Sequence, residues 1–110
     1  MHSVKRVVFI AAALVLVAGA IAQNYPTKPI RVIVAYPPGG STDIIARIVN
    51  QKFTERVGQS MVVDNRAGAA GMIGASIAAQ SAPDGYTLIL SDTPFVVNPS
   101  VFARVPYDPD

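Results

Sequence analysis

The residues able to hold a ligand fall in three short stretches. Pro37-Pro38-Gly39-Gly40-Ser41-Thr42-Asp43 joins a chain break, two positions without side chains, two hydroxyls and a carboxylate. Ala69-Ala70-Gly71 is small throughout and opens a helical pattern, and Ser91-Asp92-Thr93 follows an apolar run with two more hydroxyls. What is absent narrows the chemistry further. The chain has no Cys and one His, His2, which lies in an apolar leader. A Ser-His-Asp or Cys-His nucleophile therefore cannot be assembled. Zinc sites built on thiolate and imidazole are excluded for the same reason. Asp64, Asp84 and Asp92 lack the spacing of a calcium loop, so no metal and no cofactor are expected. What remains is binding without catalysis. Unpaired backbone N–H groups at helix starts, helped by hydroxyls, suit a small anion.

Each of these features also has a plainer explanation. Pro-Pro-Gly-Gly serves equally as a strand-to-helix turn. Asp43 is a common first-turn charge, and on an anion site it would repel the ligand. Tyr36 is either a wall of the cleft or the last buried ring of a strand. Arg31, Arg47 and Arg66 are either sources of positive charge or solvated surface. Gly68-x-x-Gly71-x-x-Gly74 lacks the Gly-x-Gly-x-x-Gly spacing after a first strand that a dinucleotide site requires, so packing accounts for it better. No Gly-Lys-Ser/Thr follows either glycine loop, which excludes a Walker A phosphate loop.

The elements that must position these stretches can be read from local pattern. Residues 30–36, Ile-Arg-Val-Ile-Val-Ala-Tyr, form a nearly unbroken apolar run flanked by prolines, as in a strand buried on both faces. From Ser41, apolar residues at 44, 45, 48, 49, 53 and 57 make a helical stripe that Gly58 ends. Residues 60–64 predict a second strand, 65–69 a loop and 70–81 a second helix. Pro83-Asp84-Gly85 is a turn signal, and 86–91 a third strand. The order β-α-β-α-β implies right-handed crossovers and a parallel α/β sheet of order 2-1-3. Residues 94–110, with Pro94, Pro99, Pro106 and Pro109, are expected to be irregular. In such a sheet ligands sit beyond the carboxyl ends of the strands. That rule brings Tyr36 to Asp43 beside Ser91 to Pro94, with the Arg66–Gly71 loop flanking β1.

The first 22 residues stand apart. Lys5 and Arg6 precede an apolar run that ends in Ala20-Ile21-Ala22, the layout of a secretory signal cleaved after Ala22. The run is short of the ~20 residues that span a bilayer. The whole chain of 110 residues carries nine basic and seven acidic residues, net +2. Without Lys5 and Arg6 the two signs balance, so no basic face is left to bind nucleic acid.

Residues 25–109 resemble the substrate-binding proteins of tripartite tricarboxylate transporters, the Bug family. The matching segments are Tyr25-Pro-Thr-Lys-Pro-Ile-Arg31, Tyr36-Pro-Pro-Gly-Gly-Ser-Thr-Asp43 with Ala46-Arg47, and Gly58-Gln59. They continue with Val62-Val-Asp-Asn-Arg-Ala-Gly-Ala69, Gly71-Met-Ile-Gly74, Ala82-Pro-Asp-Gly-Tyr-Thr-Leu88, Asn98-Pro99 and Pro106-Tyr-Asp-Pro109. The resemblance implies a periplasmic receptor with two α/β lobes of the type II binding-protein fold, taking a di- or tricarboxylate or an acidic amino acid. It implies ligand contacts from Gly39, Gly40, Ser41, Thr42 and Asp43, then from Ala70, Gly71, Ser91 and Thr93. Membrane transporter subunits are the implied partners, and a monomer is expected. On this reading residues 23–110 are part of the N-terminal lobe, the second lobe is missing, and the segment binds weakly or not at all by itself. The alternatives are a nonfunctional remnant or interaction module, and an α/β nucleotide-binding enzyme domain.

Overall fold

Strand β1, Ile30–Val34, lies at the centre of a three-stranded parallel sheet of order β2-β1-β3. The structure, a computed structural model, describes residues 24–108. The expected leader, its cleavage after Ala22, and Pro109 lie outside them. β2 is Met61–Asn65 and β3 is Thr87–Leu90. The registers pair Val34 with Asn65 on one side and with Leu90 on the other, so all three strands end at one rim. Ile33, Val34 and Ala35 are fully buried and Ile30 nearly so. A central parallel strand is covered on both faces, which is why its sequence is apolar without alternation.

Helix α1, Ser41–Val57, runs from the rim back along the sheet and ends at a left-handed Gly58, whose N–H bonds the Thr54 carbonyl at 3.0 Å. Its length agrees with the expectation from sequence, but its orientation does not follow the apolar stripe. Ile44, Ile45, Ile48 and Val49 are all about half exposed, Ile48 at 58%. The buried positions are Thr42, Asp43 and Ala46. Polar ties to β2 set this rotation. Asn50 Oδ1 accepts the Met61 amide at 2.8 Å, and Asn65 donates to Asp43 at 2.9 Å. Both anchors on α1, Asp43 and Asn50, lie on the line through residues 43, 46, 50 and 53, so that line faces the sheet.

The second helix also departs from expectation. A 3-10 turn over Ala69–Gly71 precedes α2, Met72–Ala79, so regular helix starts two residues later than the pattern predicts. Ala69 and Ala70 have φ of 48° and 54°, and Gly71 follows at 83°. Gly74 is a packing glycine. A Cβ there would lie 2.9 Å from both Cα and Cβ of Ala35, so α2 rests directly on the end of β1.

The tail expected to be irregular contains a helix, α3, Pro94–Val101. Pro94 at its start loses no hydrogen bond, because first-turn amides have no intrahelical acceptor. Pro99 removes the amide that would bond the Phe95 carbonyl, and the Tyr107 hydroxyl replaces it at 2.7 Å. The Phe95 and Tyr107 rings stack with centroids 4.4 Å apart. A side chain beyond the helix thus supplies what the proline withholds.

Candidate functional site

The loops after β1, β2 and β3 meet at the rim where the strands end. The Tyr36 hydroxyl lies 3.5 Å from Ser91 Oγ, which joins the first loop to the third. A Cβ on Gly71 would lie 3.2 Å from the same hydroxyl, so the second loop packs closely against it. Tyr36, half-buried just beyond β1, thus lies against both the second and the third loop.

The first loop is organised by Asp43, whose side chain is only 4% exposed. Its Oδ2 accepts from Arg47 Nε at 3.0 Å and from the Gly39 amide at 2.9 Å, and its Oδ1 accepts from Asn65 Nδ2 at 2.9 Å. The same Asn65 amide group donates to the Tyr36 carbonyl at 3.2 Å. The Arg47 guanidinium above all, then the Gly39 amide and Asn65, hold the Asp43 carboxyl well below the usual carboxylate range. Asp43 thus stays ionised, with its charge directed into the protein and matched by Arg47. The repulsion that a free first-turn carboxylate would exert on an anion is removed.

This network divides the sequence-derived site residues by role. The Gly39 amide donates to Asp43 Oδ2 at 2.9 Å. Its φ of 85° shows what glycine does here, which is to let the chain turn under the carboxylate. The Gly40 amide faces the Pro37 carbonyl at 3.4 Å, so Gly40 contributes an open surface rather than a donor. The amides of Ser41, Thr42 and Asp43 form the first turn of α1 and donate to no protein acceptor among the described residues. They sit at the positive end of a helix of 17 residues.

The second loop presents a different surface. The Gly71 amide closes onto the Gly68 carbonyl at 3.1 Å, while those of Ala69 and Ala70 meet no protein acceptor among the described residues. In the third loop, Asp92 Oδ1 takes the Thr93 amide at 2.6 Å and the Thr93 hydroxyl at 3.2 Å, so Thr93 is turned toward its neighbour. Ser91 keeps its hydroxyl at the rim.

The arginines weighed as charge donors are neither free nor simply solvated. Arg31 and Arg66 each bond Asp64 at 2.9 Å through Nε, and Arg47 bonds Asp43. Arg31 foremost, with Arg66, holds the Asp64 carboxyl below its ordinary value. Among the described residues no group of three or more His, Cys, Asp and Glu gathers in a way that could hold a metal. The rim offers amides and hydroxyls, and the arginines beside it, Arg47 and Arg66, are each ion-paired with an aspartate. Reading residue types along the chain missed Asn65 and Asn98, the side chains that tie the loops together. Both lie in segments that carry the family resemblance, but neither residue type signals chemistry alone.

Residues 45–110 match the profile of the "Tripartite tricarboxylate transporter family receptor". The chain belongs to that family. Among curated relatives of this receptor family, protein BugT of Bordetella pertussis is 47% identical over 102 residues, covering 91% of this chain and 31% of its own. A solved periplasmic transporter is 55% identical with a TM-score of 0.73, covering 77% of this chain and 29% of that one. An R. palustris protein, Rpa4515, solved with adipate, is 40% identical with a TM-score of 0.70 over 77% of this chain and 29% of its own. The receptor-family chain thus spans about a third or less of the length of the relatives it matches. The matching family is described as a receptor family, and no helix among the described residues is long and apolar enough to cross a membrane.

Proposed function

We propose that residues 23–110 are the part of an exported periplasmic receptor that grips one end of a small organic carboxylate, with Ala22 the last residue of a cleaved leader. The observation that carries this reading is the set of amides at residues 41–43 that meet no protein acceptor among the described residues, on the same rim as those of Ala69 and Ala70. Helix-start amides favour an anion without requiring a counter-charge. The solved relative holding adipate supports a dicarboxylate as the ligand class. Binding is non-catalytic, the protein is monomeric, and membrane transporter subunits receive the ligand. One lobe supplies one face of such a site, so this segment alone is expected to bind adipate with a Kd on the order of millimolar.

The test is a titration of the chain with adipate, followed by amide NMR, with hexane-1,6-diol as the uncharged analogue. Saturable shifts at residues 41–43 and at Ala69 and Ala70, given by adipate only, are the expected result. Equal response to the diol, or shifts confined to the opposite rim, would refute carboxylate recognition by these amides.

A further inference from the structure

We propose that Asn98 is a positioning residue for the second ligand loop, holding Ala69 and Ala70 in the left-handed conformation that turns their amides to the rim. This rests on the carboxylate-receptor reading for its functional meaning, though not for its geometry. Asn98 is 4% exposed, and its Nδ2 donates to the Ala70 carbonyl at 2.9 Å. Ala70 is the third residue in a run of four with positive φ, Gly68 to Gly71. Glycine accepts that region at little cost, but the Cβ of an alanine there crowds the following carbonyl oxygen. Two successive alanines in it need an outside contact to hold them.

Asn98 supplies that contact from a distant element. It sits on α3, one residue before Pro99, where Tyr107 caps the carbonyl that the proline orphans and stacks on Phe95. The path therefore runs from Tyr107 through α3 and Asn98 to the Ala70 carbonyl. The Ala70 carbonyl belongs to the same peptide as the Gly71 amide, which closes onto the Gly68 carbonyl at 3.1 Å. With that peptide held on both sides, Ala69 and Ala70 keep the positive φ that directs their own amides away from the turn. Asn98 touches no ligand in this arrangement; it acts through the loop.

The full chain and its Asn98→Ala and Asn98→Asp variants test this by NMR, with two readouts. One is the strong intraresidue amide-to-Hα Overhauser contact that positive φ produces at Ala69 and Ala70. The other is the adipate shift of each loop. Both variants are expected to lose the positive-φ signature at Ala70 and at least two-thirds of the adipate shift at Ala69 and Ala70. The shifts at residues 41–43 should persist, and Ala70→Gly in the Asn98→Ala background should restore part of the second-loop response. A signature and response unchanged in both variants would overturn the proposal. So would collapse of the β1 amide dispersion in both, which would assign Asn98 to the fold instead. If the wild-type chain ignores adipate, the receptor reading fails for this segment, while the Overhauser contacts still decide whether Asn98 sets the turn.

Discussion

The Tyr107 hydroxyl donates at 2.7 Å to the Phe95 carbonyl, the acceptor that Pro99 leaves without its helical partner. Two residues that each look like defects in a helical pattern, a mid-helix proline and a tyrosine outside the helix, are complementary. Tyr107→Phe should therefore destabilise the chain by about 1 kcal/mol, the usual net value of such a bond. In a Pro99→Ala background the restored amide can satisfy Phe95, and the same substitution should cost clearly less. Urea unfolding of the four species of this cycle measures the difference; equal costs in both backgrounds would mean that the tyrosine and the proline are independent.

The Asp43 network gives the fold a defined acid sensitivity. The folded carboxyl sits below its ordinary value, so the unfolded chain binds the proton first. The stabilisation is complete above the unfolded pKa of about 3.9 and drains away as pH falls toward the folded value. Asp64, lowered mainly by Arg31, acts in the same direction. Asp43→Asn should lower the urea midpoint at pH 7 and lose less of it between pH 6 and 3 than the wild type does. A parallel pH profile in the variant would show that Asp43 contributes nothing to acid unfolding.

Gly40 separates ligand approach from folding. Its φ of −74° suits any residue, and the nearest atom to an added Cβ is the Pro37 carbonyl oxygen at 3.4 Å. Gly40→Val should shift the unfolding midpoint little while cutting the adipate response of residues 41–43 by at least tenfold, since the added methyls stand over the helix start. Wild-type titration behaviour in this variant would place the ligand elsewhere.

Gly74 makes the opposite case. An added Cβ would lie 2.9 Å from Ala35 and 3.1 Å from the Arg66 carbonyl oxygen, both immovable without shifting backbone. Gly74→Ala should cost roughly 1–3 kcal/mol by overpacking, despite the better helix propensity of alanine. A stabilised variant in thermal or urea unfolding would mean that α2 can lift from β1 freely.

Local pattern alone determined the β-α-β-α-β order, the extent of α1, the burial of β1 and the place of the rim, because each depends on periodicity and on glycine or proline within a few residues. Three features were decided only by contacts between distant residues. The inward face of α1 is the mixed line of Asp43, Ala46, Asn50 and Phe53, with Asp43 and Asn50 tied to β2, against the apolar stripe at 44, 45, 48 and 49. The left-handed turn at Ala69 and Ala70 runs against local preference and is held by Asn98, 28 residues from Ala70. Helix α3 tolerates Pro99 because Tyr107 reaches back to it. A chain segment states its own conformational preference; a buried hydrogen bond between segments can reverse it, because an unpaired polar group inside the fold costs more than the strain that pairing imposes.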